Sequence, residues 1–290
     1  LDCRYCPYQP FGLEKGHQTL YRGGYVMMEK VGHYWDVYKK FVSTSVSVET
    51  SFRTSFILLI FMDLFFFFSS VGSVSFIYDH VANIGPWQKD QLLFFLTFML
   101  MIDNLHMMIF SQSFWEFSFN IKSGQLDYVI LKPMNTIFSV FFRHFRASSL
   151  FNTPLFLGFL IHYGIKVNLS LFDWLMMPLF LILSLVLLIL IEFILSTSMF
   201  WLTDGIGINF LRMQMQQLAR WPNFIYQGFI RKVLTVLLPV LLIGSGPVHF
   251  LLDKNQWQLL ATMVLVIFVL VIILNWIWKV GLRNYDSASS

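Results

Sequence analysis

The sequence predicts an all-α, polytopic membrane protein, six transmembrane helices preceded by an N-terminal amphipathic interfacial helix. Three observations lead there. Of 290 residues, 57% are hydrophobic and only 12% charged, about half the charged share of an average soluble domain. Runs long enough to cross a bilayer recur, each with at most one charge. The basic residues fall almost wholly in alternate connections between those runs. With 33 Phe the chain also carries too much apolar surface to stay disordered.

Residues 1–26 come first, and they show neither helical nor strand period. They are expected to be an unstructured or non-native extension. They hold both cysteines, Cys3 and Cys6. A Cys-x-x-Cys with no second pair and no nearby His is a weak zinc or redox signal, and no metal site is expected. The first apolar run starts only near Ser55 and has full span length, so it does not read as a cleavable signal peptide.

Residues 27–52 form the amphipathic segment. Met28, Val31, Trp35, Tyr38 and Val42 recur at helical spacing, while Glu29, Lys30, His33, Asp36, Lys39 and Lys40 fall elsewhere on the wheel. Such a helix can lie in the inner headgroup layer or pack on its own protein. The remainder, 53–290, is the membrane domain. Its six windows, each near the ~20 residues a bilayer crossing needs, are 54–78, 91–114, 147–165, 175–202, 233–252 and 259–278. Gly244-Ser245-Gly246-Pro247, inside the fifth window, reads as a helix break near the outer face.

Orientation follows from the basic residues, which resist translocation. Of the 20 Lys and Arg, only Lys89, Lys166 and Lys254 lie in the connections on one side of the six windows. The others, including Lys122, Lys132, Arg143, Arg146, Arg212, Arg220, Arg231, Lys232, Lys279 and Arg283, lie on the other. That side is expected to be the cytoplasm, with both termini on it, in a cell inner membrane. Positive charge distributed in this way serves topology and anionic lipid. No nucleic-acid partner is expected.

Two connections on the expected cytoplasmic side have pattern of their own. In 124–133 a short helix ending at Pro133 would present Leu126, Val129 or Ile130, and Leu131 beside Asp127 and Lys132. It reads either as a docking helix for another protein or as a membrane-surface loop. Before the fifth window, Ile208, Leu211, Met215 and Leu218 recur at helical spacing among Arg212, Gln214, Gln216, Gln217 and Arg220, a second amphipathic piece closed by Trp221-Pro222.

Asp63, Asp103 and Glu192 lie within windows, where an unpaired charge costs ~2.5–3.5 kcal/mol on insertion scales. Each is a pathway candidate, Asp103 together with His106, or a structural group paired with a neighbour such as Asn104 or His106. They sustain the rival reading of an ion-coupled secondary transporter or channel. That reading calls for inverted repeats with broken helices, and no internal repeat is evident. An intramembrane enzyme would need clustered groups, yet His80, His106, His144, His162 and His249 are scattered.

Three stretches together resemble a known family. Gly124-Gln125-Leu126-Asp127-Tyr128-Val129-Ile130-Leu131-Lys132-Pro133 is similar to its Gly-x-Leu-Asp-x-x-Leu-x-Arg/Lys-Pro segment. Trp221-Pro222-Asn223-Phe224-Ile225-Tyr226, followed by Arg231 and Pro239, resembles its approach to span five. Trp278-Lys279-Val280-Gly281-Leu282-Arg283-Asn284-Tyr285-Asp286-Ser287-Ala288-Ser289 is like its Trp-x-x-Gly-Leu-Arg-x-Tyr-x-Ser tail. The family is that of six-span permease subunits of ABC exporters of the second type, which lack their own ATPase.

The resemblance covers most of 27–290. It implies that Gly124, Leu126, Asp127, Leu131, Lys132 and Pro133 form a coupling helix on an ABC ATPase subunit. It also implies pairing with a second permease copy or a related permease, and ATP and Mg held by the partner. No cofactor is expected on this chain, which has no Gly-x-x-x-x-Gly-Lys-Ser/Thr loop and is not expected to be an enzyme. Export is implied by the resemblance alone, and the substrate is not legible beyond a weak preference for lipid-like cargo.

Overall fold

Long uncharged runs leave a backbone in hydrocarbon one local way to satisfy its N–H and C=O groups, the helix. The computed structural model describes the backbone of residues 19–31 and the whole of 32–81, 83–132, 134–202 and 205–285. Among these it is helical throughout, with a single β-bridge, Ile84 to Trp87, in a turn. Cys3, Cys6, the side chains of Met28 and Val31, and Pro133 lie outside the described residues.

Two units are distinguished, residues 1–40 and 41–290. The first is helical from Thr19, the start of α1 (Thr19–Ser51). That is ahead of Met27, where the periodic pattern opens, because a hydrogen-bonded ladder needs backbone geometry and no amphipathic spacing. Here Trp35 is exposed, lies 6.0 Å from Tyr38 and has the Lys39 ammonium 5.6 Å from its ring centre.

The second unit is a helical bundle. Its central helices are α3 (Lys89–Ile109) and α8 (Leu171–Thr197), with Phe94, Phe95, Phe98, Leu100 and Leu187 fully enclosed. On the periphery run α2 (Arg53–Tyr78) and α12 (Trp257–Arg283), with Phe61, Phe65, Leu265 and Phe268 exposed. Apolar side chains on the outside are what a hydrocarbon solvent selects. Beside α3 packs α7 (Ala147–Lys166). At one end of the bundle, Lys166 reaches Asp90 at 3.6 Å and Lys254 pairs with Asp173. Trp87 lies in the α2–α3 turn there, and this is termed the Trp87 end. The opposite end is built by α4 (Ser111–Lys122), α5 (Leu126–Ile130) and α6 (Thr136–Phe141). At that α5 end the Glu49 carboxylate accepts the open N–H groups of Ala147 at 2.5 Å and Ser148 at 3.3 Å, an anion at a helix N-terminus.

Two expectations are corrected. Six long apolar helices were expected. Among the described residues four are long and apolar enough to cross a membrane, or five if one bent pair counts as a span. One shortfall is α7, which opens on Ser148, Ser149, Asn152 and Thr153. The other is the 233–252 window, where Gly228–Leu237 and Pro239–Leu252 meet at 79°. The bend falls at Leu238, before Pro239, whose ring cannot continue a helix ladder. Gly244 to Pro247, read as the break, sit inside α11 (Leu242–Leu252) and are buried. A Cβ on Gly244 would come 2.5 Å from the Met99 sulfur and 2.7 Å from the Phe95 ring, so glycine serves close packing there. From Phe224, 4.9 Å from Trp87, to Lys254 on Asp173, this segment leaves and returns to the Trp87 end. Its middle reaches halfway along α8, where Ser184 donates to the Ile243 carbonyl at 2.7 Å. It therefore re-enters rather than crosses.

The second correction concerns α9 (Gly205–Ala219), expected as an amphipathic piece of the cytoplasmic surface. Here Asn209, Arg212 and Gln216 are buried beside Ile208, while Ile206, Phe210, Leu211 and Met213 are exposed. The helix thus turns a largely polar stripe inward and several large apolar side chains outward. With the residues after it, α9 runs from Ser118 near the α5 end to Gly85 and Trp87 at the other.

Candidate functional site

Each of the three acids within the predicted windows meets a cation. Asp63 on α2 accepts from Arg146 at 3.0 Å and from Asn152 at 3.4 Å. Asp103 on α3 is held by Arg220 at 2.7 Å and Gln216 at 2.8 Å. Glu192 on α8 takes Arg212 at 3.1 Å on one oxygen and the His106 Nε2 at 2.5 Å on the other. The Arg212 guanidinium also lies 4.6 Å from the Phe114 ring centre. Buried charge is tolerable when paired and costly when not. The pairing expected of His106 is found with Glu192 and not with Asp103. Asn104 binds Thr153 at 2.8 Å and meets none of the three acids.

These pairs place α9 against α3 and α8 through two cations, Arg212 and just beyond it Arg220. Neither belongs to a surface connection, as the sequence reading had it. Asn209, Arg212, Gln216 and Arg220 recur at spacings of 3, 4 and 4, one helical face. That polar stripe was legible. Matching it against three unexplained carboxylates in neighbouring windows would have revealed its partners.

At the α5 end, the 124–132 segment divides into an anchored and an open side. Gly124 turns the chain at φ 71°, a left-handed conformation that favours glycine. Leu126 and Val129 are buried in a cluster that also holds Phe117, Phe141, Phe193 and Trp278, and the short helix is fastened to α4 and α6. On its other side Tyr128 is 73% and Leu131 81% exposed, with Lys132 beside them. Leu126 therefore holds the platform and Leu131 presents it. The Asp127 carboxylate faces Tyr285; burial first, then that carboxylate, raises the phenol's pKa. Two of the three stretches singled out in the sequence thus meet.

In the α6–α7 connection His144 is half-buried, and burial pushes its pKa down, Arg143 acting the same way and Glu116 opposing. The neutral ring is thus favoured by folding. Its contribution is complete above the ordinary imidazole pKa and is lost as pH falls below it, where the unfolded chain binds the proton first. Between about pH 7.5 and about pH 5.5, the thermal midpoint of the wild type should fall more than that of His144→Asn. Equal falls would exclude the effect.

A bundle of membrane-length apolar helices, a helix with a buried polar stripe within it and an anchored, exposed platform at one end define a multi-pass membrane protein. Among the described residues no group of His, Cys, Asp and Glu is arranged to hold a metal. The chain belongs to the ABC-2 family transporter proteins, whose family model matches residues 57–289, and it is an ABC transporter permease subunit. Comparison with curated proteins and with solved structures gave no match.

Proposed function

We propose that this permease is the membrane half of an ATP-driven exporter, and that a separate ABC ATPase subunit, holding ATP and Mg, docks on the α5 platform. The observation that carries this reading is the two-sidedness of α5. Tyr128, Leu131 and Lys132 offer an exposed contact, and Leu126 and Val129 fasten that contact to α4 and α6. A push on the outer side would pass to α4 and α6 and, through Phe117 and Phe141, to Trp278 of α12 and Phe193 of α8. Asp127, against Tyr285, ties the platform to the end of α12.

The positive-inside tendency gives modest support to a cytosolic α5 end. Arg53, Lys122, Lys132, Arg143, Arg146, Lys279 and Arg283 lie towards it, against Lys89, Lys166 and Lys254 at the Trp87 end, joined there by Arg231 and Lys232, which the sequence reading puts on the cytoplasmic side. The start of α2 and the end of α12 would share the cytosolic side, in the cell inner membrane. A second permease, identical or related, would complete the translocation path. Pairing of Asp63, Asp103 and Glu192 with arginines takes away the uncompensated carboxylates on which the ion-coupled alternative rested.

The test is Leu131→Asp, assayed by co-purification with the ATPase encoded beside it and by ATP-dependent transport in proteoliposomes. Loss of both, with unchanged thermal midpoint, is the expected outcome, since Leu131 buries little of itself in the folded chain. Full transport by this variant would refute the docking assignment.

A further inference from the structure

Along the inward face of α9 a polar seam ascends from the α5 end. At its foot is a cleft of about 340 Å³ lined by residues that include Ser118, Lys122, Trp201, Gly205 and Tyr285. There α9 and α4 approach so closely that a Cβ on Gly205 would fall 2.0 Å from the Ser118 hydroxyl oxygen. One turn further along α9 stands Asn209, and one turn back along α4 stand Ser113 and Phe114. Next come Arg212 over the Phe114 ring, Glu192 and His106, and then Asp103 with Gln216 and Arg220. Ser196 lies one turn from Glu192 on α8.

Within the lower half of this seam six buried side-chain atoms have no hydrogen-bond partner. They are Ser113 Oγ, Ser196 Oγ, Asn209 Nδ2 and Oδ1, Arg212 Nε and His106 Nδ1. Ser113, Ser196, Asn209 and His106 are 0% exposed. Each such group left dry costs about 1–3 kcal/mol, and folded proteins leave few. The unpartnered atoms mix donors and acceptors and are spread over successive helical turns. Glu192 already engages both of its oxygens, with Arg212 and His106, and has none to offer a cation. A single ion or organic ligand does not match that pattern, whereas water donates and accepts and typically makes about three hydrogen bonds when buried.

We propose that the seam between α9 and α3, α4 and α8 is wet, with ordered waters entering from the cleft at Ser118 and Gly205. They bridge Ser113, Asn209 and Ser196 to the free nitrogens of Arg212 and His106. The Glu192 triad is then reached by water from the α5 end and closed off above by Asp103, Gln216 and Arg220. Such an interface also lets α9 shift against its neighbours by exchanging waters, without stripping buried polar groups of their partners.

X-ray hydroxyl-radical labelling of the intact permease in lipid nanodiscs tests this, because radicals formed from bound water mark the side chains touching it. Phe114, 0% exposed between His106 and Arg212, is the reporter, and Phe98, also 0% exposed but in the apolar core, is the control. Phe114 should be hydroxylated about tenfold faster than Phe98, as expected where a buried water touches one ring and none touches the other, and the oxygen should come from ¹⁸O-labelled water. Equal rates would overturn the proposal. Asn209→Leu adds a second arm. In a wet seam it lowers both Phe114 labelling and the thermal midpoint; in a dry one it raises the midpoint by removing an unsatisfied amide, and the proposal fails.

Discussion

Arg212→Met should destabilise the folded permease by about 3–5 kcal/mol, the cost of leaving one member of a buried ion pair uncompensated. The magnitude follows from the geometry: both side chains are 1% exposed, with Arg212 3.1 Å from Glu192. Methionine nearly fills the space and keeps contact with Phe114, so the loss reports charge rather than volume. The second variant in the cycle, Glu192→Met with Arg212→Met, should recover most of the loss, since removing both charges also removes their desolvation cost. Denaturant unfolding in detergent measures both. A loss below about 1 kcal/mol for the single variant, typical of an exposed pair, would mean that the contact is screened as fully as one on the surface, beyond what a few bound waters provide.

Leu126→Asp should prevent accumulation of folded protein, in contrast to Leu131→Asp, although both lie in the same short segment. Leu126 is 0% exposed and packs in the cluster of Phe117, Phe141, Phe193 and Trp278. Truncating a buried leucine alone costs about 2–5 kcal/mol, and a carboxylate in that cluster adds an unpaired buried charge. Monodisperse yield and thermal midpoint should collapse for Leu126→Asp and stay unchanged for Leu131→Asp. If Leu126→Asp folds normally and loses only transport, the inward placement of that face is wrong.

Hydropathy alone reads α2, α3, α8 and α12 well, because a hydrocarbon-facing or fully enclosed helix has no use for polar residues and its sequence shows that directly. It misreads α9 and the 228–252 segment for opposite reasons. In α9 buried polar residues face acids of α3 and α8 inside the protein, so local composition mimics a surface helix. The 233–252 run is apolar enough for a span, but Pro239 bends it and its small residues fit it against α3. The α5 segment was half legible: a short helix with an apolar side drawn from Leu126, Val129 or Ile130, and Leu131 stood out, while the inward turn of Leu126 and the outward turn of Leu131 did not.

Composition and the spacing of charges established a helical membrane protein, three short stretches carried the family likeness, and the segment proposed to meet a partner followed from that likeness by analogy; these are local properties, readable a turn or two at a time. Which carboxylate meets which arginine, which face of α9 points inward and which leucine of α5 is left outside depend on residues up to 117 positions apart. Such choices arise only when helices pack, since a polar group's cost in a bilayer is set by the partner it finds and not by its own neighbourhood in the chain.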